Sequence, residues 1–555
     1  MAPYFGLKGG WLTFWVTVAC ATDMTLFGYD QGVFGGVVIT QDFLDTLNLD
    51  GKTTMISTVT AIYDIGCFLG AILAFIIGDR LGRKKSVLLG TSIMAIGAIL
   101  QAAAFGVPEM IVGRIVGGIG NGINTATAPI WQGETSKVSW RGKLVIIEMI
   151  LNIAGFSLSN WVTYGMSFAG GGVSWRFPIA LQFLFIFVLW ATVPWLPESP
   201  RWLMARGDIK QANQILADLE DMEVDSPYIQ ASSNDIQWAV EYERENAIRW
   251  RDLIRGRTGT QGGTCTIRRL ILGMGSQAMQ QFAGINVTSY YLPYVLINSV
   301  GLSNSTSRLL AACNSVSYLL FSLIGIPNVE KWGRRKMMIY AATGQCVCWL
   351  VITICLRYSA PEFAAHKQWA SASIAFFFLY YVFFGIGWQG VPWLYPAEIN
   401  SMSMRTKGAA LGTATNWIVN FMGKLNPHHA SSNRDTDMYA VVEITPPGIS
   451  SLGWKFYIIW TVFNASFVPI VYLFYPETAD RSLEDLDRFF IDNHDVFVFK
   501  YPEAISSKRP FEYVEREQAE VRRQSSIKTG DVMAAVEAHR RTLMEKDHTE
   551  KINQV

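Results

Sequence analysis

Long uncharged runs separated by short basic clusters set the rhythm of this chain. The stretches 86–108, 177–197, 309–329, 337–356 and 456–476 carry no charge, and each has about the length a helix needs to cross hydrocarbon. The stretch 270–307 is also uncharged and exceeds one crossing. Six further segments fit with an occasional charge: 11–35, 57–78, 110–132, 143–167, 371–395 and 408–424. Trp and Tyr cluster near many of their ends, as interfacial residues do. No water-facing stripe of period 3.6 dominates, as expected of helices that meet lipid on one side. The pattern predicts an all-α membrane protein with twelve transmembrane helices.

Basic residues collect at 80–85, 137–143, 331–336 and 405–407, and again at 244–269 and after 505. The positive-inside rule assigns these to the cytoplasm. Both termini and the loop at 198–268 are then cytosolic, and that loop reads as short amphipathic helices at 209–220 and 236–250. Lys8 precedes a long apolar segment without a small-residue cleavage site, so no cleavable signal is expected. The two halves repeat: Asp79-Arg-Leu-Gly-Arg-Lys echoes Glu330-Lys-Trp-Gly-Arg-Arg, and Pro197-Glu-Ser-Pro-Arg echoes Pro476-Glu-Thr-Ala-Asp-Arg. The predicted division is a six-helix half at 1–197, a cytosolic loop at 198–268, a second half at 269–480, and a cytosolic tail at 481–555. A duplication of this kind places a substrate cavity between the halves near mid-membrane.

Composition agrees. Of 555 residues, 50% are hydrophobic and 16% charged, against about a quarter charged in soluble chains. Mean hydropathy is +0.22. These values exclude a disordered chain and a disulfide scaffold and argue against a soluble enzyme. A net charge of +1 gives no reason to bind nucleic acid. The seven cysteines sit almost entirely in apolar runs and read as small packing residues. No nucleophile–base pair, metal-ligand spacing or phosphate loop appears, so neither an enzyme nor a bound cofactor is expected. The glycine-rich run 113–122 reads as a helix-packing surface.

Several motifs in order carry a family resemblance. They are Phe27-Gly-Tyr-Asp-Gln-Gly-Val, the Asp79 loop, Gly113-Arg-Ile-Val-Gly-Gly-Ile-Gly and Pro129-Ile-Trp-Gln-Gly-Glu. Then come Pro197-Glu-Ser-Pro-Arg-Trp-Leu, Gln280-Gln-Phe-Ala-Gly-Ile-Asn, Pro392-Trp-Leu-Tyr-Pro-Ala-Glu and Pro476-Glu-Thr. To about residue 490 the chain resembles the sugar porters of the major facilitator superfamily, closest to the fungal branch with glycerol/sugar–proton symporters. The resemblance implies the major facilitator fold with two pseudo-symmetric six-helix halves. It implies proton-coupled uptake of a monosaccharide or polyol by a plasma-membrane monomer, driven by the proton gradient without a cofactor.

Asp30 is an acid within a membrane span, expensive unless paired or functional, and Arg114 could supply the opposite charge. By resemblance Asp30 carries the proton and Arg114 tunes it, with Asp23 a weaker competitor. Gln280, Gln281 and Asn286 offer amides that donate and accept, as sugar hydroxyls require. By resemblance these three line the sugar site, with Trp393 stacking on the ring and Asn416 and Trp417 alongside. Tyr290 and Tyr291 resemble the outer gate, whereas Trp388 reads more generally as interior packing. Two positions depart from the hexose-transporter pattern. Met149 replaces an expected Gln beside Glu148 and Asn152, and Tyr318 replaces an expected Asn, with Asn314 one turn earlier. Losing two amides keeps pentoses, polyols and glycerol open.

Asp79, Arg83, Glu134, Arg141, Glu198, Arg201, Glu330, Arg334, Glu398, Arg405 and Glu477 would form ion pairs that close the cytoplasmic side. Phe75 and Asp480 replace the usual glycines of two of these motifs. The sequon at Asn286 lies in the membrane; the one at Asn304 is the usable one. The apolar run 408–423 gives about 24 Å of helix, short of the roughly 30 Å core. Residues 423–440 therefore read as an insertion, either a true extracellular loop or a retained intron. Two other functions stay open: a facilitative uniporter, and a sugar sensor signalling through its tail.

Overall fold

The computed structural model describes residues 3–136, 141–245, 255, 265–360, 362–363, 365–401, 404–421, 445–481 and 483–508. These are helical, with no β-strand among the described residues. Seven helices are long and apolar enough to cross a bilayer: Thr54–Leu81, Arg83–Ala102, Leu144–Met166, Val173–Trp195, Arg334–Tyr358, His366–Ile399 and Gly448–Phe474. Asn304–Ser322 and Gly325–Trp332, bent by 44°, make an eighth path. Four paths remain: Gly9–Val37, Val107–Thr135, Thr266–Phe282 continued by Ile285–Asn298, and Arg405–Phe421. They are shorter or less uniformly apolar because they carry buried polar groups, among them Asp30, Arg114, Gln280, Asn286 and Asn416. In chain order these paths are spans 1 to 12, and spans 1–6 and 7–12 form the two halves of the major facilitator fold.

The first half is held by close helix contact. A Cβ on Gly118 would strike the Tyr63 carbonyl, and one on Gly66 the Ile115 carbonyl, so spans 2 and 4 nearly touch backbone to backbone. Gly28 and Gly155 do the same for spans 1 and 5. Small residues permit this approach, and dispersion rather than water release drives helix association in lipid.

The second half is built from broken helices. Span 7 breaks between Phe282 and Ile285, where Gly284 has φ +92° and a Cβ would lie 2.8 Å from the Trp349 ring. Both facts favour glycine there. Span 10 contains a π-helical turn, Phe384–Trp388, before resuming at Val391–Ile399. Such turns relax the backbone hydrogen-bond ladder and recur at functional sites.

Helices Pro200–Ala205, Ile209–Glu220 and Pro227–Glu245 lie between the halves. The second coincides with the predicted 209–220 and is capped by Asp208, which accepts from the Gln211 N–H at 3.2 Å. The third starts earlier than the predicted 236–250, because Pro227 provides an N-terminal helix position. The segment after span 12 is not simply a charged tail. Helix Leu483–Asp492 buries Phe489 and Phe490. Arg268, at the start of span 7, donates to the Asp495 and Val496 carbonyls at 2.6 and 2.9 Å.

The suspected insertion at 423–440 lies outside the described residues. Span 11 has 17 residues, about 25 Å of helix. Helix Thr445–Leu452 then packs on span 2, a neighbour that span 11 shares.

Candidate functional site

A narrow cavity lies between the halves. The first half contributes mostly apolar groups, with Phe27, Met149 and Phe156 beside Gln31 and Asn152. The second half contributes the hydrogen-bonding wall: Gln280, Gln281, Asn286, Gln389, Asn416 and Asn420, with Tyr318, Trp393 and Trp417.

The helix breaks place this wall. Gln280 and Gln281 end the first segment of span 7, and Asn286 opens the second. Gln389 sits at the break in span 10, where Gln280 Nε2 donates to the Trp388 and Gln389 carbonyls at 2.7 and 3.1 Å. Asn416 Nδ2 donates to Gln277 Oε1 at 2.6 Å and Gln280 Oε1 at 3.0 Å. Asn286 Nδ2 donates to Gln281 Oε1 and Asn420 Oδ1, each at 2.5 Å. The Tyr318 hydroxyl donates to Gln389 Oε1. Three spans are thus wired through amides that hold one another in orientation, as hydroxyl recognition requires. Trp417 meets Phe27 of the other half edge-on, with centroids 5.6 Å apart. Trp388 donates to the Met338 carbonyl at 3.1 Å and does not line the cavity, consistent with interior packing.

One residue expected in the cavity, Asn314, lies elsewhere. Asn314 is fully buried, its amide finds no hydrogen-bond partner, and it does not line the cavity. Tyr318, one turn on, takes its place because the longer side chain reaches the break in span 10. Tyr290 and Tyr291, expected at the outer gate, are buried and do not line the cavity. The Tyr290 backbone packs against Gly35 of span 1, so this part of span 7 does close against the first half.

The first half buries Asp23, Asp30, Asp64, Glu148 and Arg114 within its spans. Asp30 Oδ1 accepts from Gln182 Nε2 at 2.9 Å. Arg114 does not form the expected ion pair, because no Asp30–Arg114 contact within 4.0 Å occurs among the described residues. Its Nη2 instead donates to the Thr60 carbonyl of span 2 at 3.0 Å. The guanidinium carbon lies 3.7 Å from the Phe34 ring centroid and 4.3 Å from that of Tyr63. Asp30 and Arg114 still interact electrostatically. Asp23 Oδ1 accepts from Asn124 Nδ2 at 2.6 Å. Glu148 is wholly buried and neither of its oxygens finds a donor.

At the end bearing the basic loops, one construction appears twice. Arg83 holds Glu134 at 3.0 Å, and the Arg83 and Lys84 backbone N–H groups donate to Glu198. Arg334 holds Glu398 at 2.7 Å and Glu330 at 2.7 Å, and the Arg334 and Arg335 N–H groups donate to Glu477. Burial pushes the Glu477 carboxyl up from its ordinary value, while backbone donors and Arg334 oppose that rise. The Arg83 and Arg334 pairs therefore bind spans within a half. Arg201 pairs with Glu243 of the intervening helices. Asp79 acts electrostatically on Lys407, and Arg405 lies amid Glu398, Glu243 and Glu134. The Arg141 side chain lies outside the described residues.

At the opposite end a buried arginine joins the halves. Arg308 of span 8 donates to Thr40 Oγ1 at 2.9 Å, to the Thr163 carbonyl at 3.4 Å and to Asn304 Oδ1 at 2.7 Å. Asn304 Nδ2 donates to the Ile39 carbonyl at 3.1 Å. The nitrogen that a glycan would occupy is therefore engaged across the halves.

Sequence reasoning missed Arg308, Asp64, Gln277, Gln389 and Asn420. Asp64 had the clearest available signal, as the one charge in an otherwise uncharged stretch at 57–78. Gln389 and Asn420 carry no such mark, since an amide in a span is ordinary until its helix is seen to break or its neighbour is known.

Known proteins give a consistent comparison. Residues 15–490 match the family model described as sugar (and other) transporter. The chain is 59% identical over 523 residues to the MFS-type transporter oryC of Aspergillus oryzae, covering 94% of this chain and 93% of that one. It is 32% identical over 499 residues to the sugar transporter STL1 of Saccharomyces cerevisiae, covering 88% and 83%. Among solved structures, the proton:xylose symporter XylE of E. coli, bound to 6-bromo-6-deoxy-D-glucose, superimposes with a TM-score of 0.68. Identity there is 25%, and the match covers 86% of this chain and 99% of that one. All three are named as transporters or symporters, not as enzymes.

Proposed function

Because the chain belongs to the sugar (and other) transporter family of the major facilitator superfamily, we propose that it couples proton entry to uptake of a monosaccharide or polyol. The observation that carries this reading is a division of chemistry. Buried Asp30 and Arg114 stand in the first half, and an amide and tryptophan wall stands across the cavity in the second. An acid and a cation share the first half without a direct bond, so protonation of Asp30 changes which neighbours Arg114 favours. The amides of spans 7, 10 and 11 exchange their mutual hydrogen bonds for substrate hydroxyls, and Trp393 offers a flat face to the sugar ring.

The two halves then rock about the cavity in alternating access. The basic end is cytosolic in this reading, with both termini there, and the protein works as a monomer in the plasma membrane. Arg308 and span 7 near Tyr290 close the outer side, while the attractions of Asp79 for Lys407 and of Glu134 and Glu243 for Arg405 give way at the inner side. The proton gradient supplies the energy, and no cofactor takes part. Met149 and Tyr318 stand where hexose carriers offer amides, and the loss of those two amides favours pentoses and polyols over glucose.

The test is uptake in a yeast lacking its own sugar and polyol transporters. Labelled glycerol, D-xylose and D-glucose are offered while external pH is recorded. The reading expects uptake with external alkalinisation, abolished by an uncoupler. Uptake that neither alkalinises the medium nor responds to the uncoupler is a facilitative uniporter and contradicts it.

A further inference from the structure

We infer that Asp64 is the second partner of Arg114, the carboxylate that receives its guanidinium when a proton occupies Asp30. The inference rests on the proton-coupled reading above and adds a residue to it. Asp64 lies on span 2 with its residue surface 1% exposed, and neither carboxylate oxygen accepts a hydrogen bond among the described residues. An ionised carboxylate buried in that way is costly unless a cation comes to it.

The cation is close at hand and incompletely used. Arg114 Nη2 donates to the Thr60 carbonyl, one helical turn before Asp64 on the same face of span 2. Its Nε and Nη1 find no acceptor. Unsatisfied donors on span 4 and unsatisfied acceptors on span 2 are thus held together by the Gly66 and Gly118 contacts between those helices. Asp30 stands on a third side, held by Gln182. Arg114 acts electrostatically on both carboxylates.

One cation between two acids is neutral when the set holds one proton. With Asp30 ionised, Arg114 is drawn toward span 1. When Asp30 takes a proton from the outer side its charge is gone, Arg114 keeps its own, and the pull of Asp64 is unopposed. The guanidinium then turns to Asp64 and forms the ion pair. Release of the proton from Asp30 reverses the exchange.

Asp64 also faces the second half. Asn420 of span 11 stands beside it without a hydrogen bond of ordinary geometry, and Asn420 Oδ1 is the acceptor of Asn286. The titratable groups around Asp64 are Arg114 on span 4, Tyr290 and Tyr291 on span 7, and Cys67 on its own helix. The groups around Asp30 are Arg114, Tyr63, Cys67 and its neighbour Tyr29. Helix Thr445–Leu452, also packed on span 2, has no titratable residue. A charge arriving at Asp64 is therefore felt at the start of the chain Asn420–Asn286–Gln281, which lines the cavity.

The experiment uses the full chain in the same yeast, with whichever of glycerol, D-xylose and D-glucose the wild type accumulates. Uptake is measured from pH 4 to pH 8 for wild type, Asp64→Asn and Asp64→Glu, each normalised to its amount in the membrane. Without Asp64, protonating Asp30 strands Arg114 unpaired, so protons bind less readily. Half-maximal uptake in Asp64→Asn should then move about one to two pH units toward acid. Asp64→Glu should restore the wild-type profile. A profile that keeps its midpoint in Asp64→Asn, at whatever amplitude, overturns the inference and leaves proton coupling intact. Wild-type uptake without alkalinisation would overturn both.

Discussion

The halves share a fold but divide their labour by helix continuity. Spans 1, 2, 4 and 5 are unbroken, pressed together through Gly28, Gly66, Gly118 and Gly155, and they bury Asp23, Asp30, Asp64, Glu148 and Arg114. Spans 7 and 10 are broken, and their breaks present Gln281, Asn286 and Gln389 to the cavity. A continuous helix satisfies its own backbone, so it can devote side chains to charges held in a dry interior. A broken helix frees backbone carbonyls, and Gln280 answers them at Trp388 and Gln389. The comparison teaches that continuous helices hold the buried acids and Arg114 of the first half, while helix breaks bring Gln281, Asn286 and Gln389 to the cavity of the second.

The largest expected effect on substrate binding is at Asn286, whose amide nitrogen bridges Gln281 and Asn420. Asn286→Ala leaves buried acceptors unpaired, at about 1–3 kcal/mol, or roughly a 5- to 150-fold rise in KM. Accumulation driven by a pH gradient should survive at saturating substrate. Radiolabel uptake at several concentrations checks this; a lost proton response with an unchanged KM would break the division.

Next come the repeated ion pairs. The Arg334 side chain is 5% exposed and the Arg83 side chain 13%. Removing one partner of a buried pair costs about 3–5 kcal/mol. Arg334→Met, which strands Glu398 and Glu330, should therefore lower thermal stability in detergent more than Arg83→Met does. Equal melting temperatures for the two variants would show that the asymmetry has no energetic weight.

Gly284→Ala should slow uptake without altering the pH profile, because the strain falls on the break in span 7 and not on Asp30. A side chain at positive φ costs about 1–2 kcal/mol, roughly five- to thirtyfold in rate. A displaced pH midpoint in that variant would link the break directly to the proton. The smallest effect concerns Asn304. Since its nitrogen contacts Ile39 across the halves, endoglycosidase treatment should leave the mobility of the protein on a gel unchanged. A downward shift would show that the sequon is used.

Much of the fold was legible because bilayer crossing imposes a length and a polarity that any chain must show. The uncharged runs, the repeated Asp79 and Glu330 motifs and helix Ile209–Glu220 all follow from local rules. The amide wall was also legible, since Gln280, Gln281, Asn286, Trp393, Asn416 and Trp417 carry family motifs. What stayed hidden depends on which helix faces which. Asn314 and Tyr318 share a helix face, and only packing decides that Tyr318 reaches the cavity. The partner of Arg114 was hidden for the same reason, because a guanidinium between spans 1 and 2 has acceptors on both sides. Phe489 and Phe490 escaped notice because their burial depends on a docked helix after span 12, in a stretch that composition marks as charged.

The central claim is that the proton belongs to the first half and the substrate to the second. It is tested most directly with Asp30→Asn reconstituted in vesicles, with counterflow and pH-driven accumulation measured on the same preparation. The expected result is counterflow with a near wild-type KM and no accumulation above the external concentration when the pH gradient is imposed. Accumulation that persists in Asp30→Asn, or counterflow lost together with it, would contradict the account.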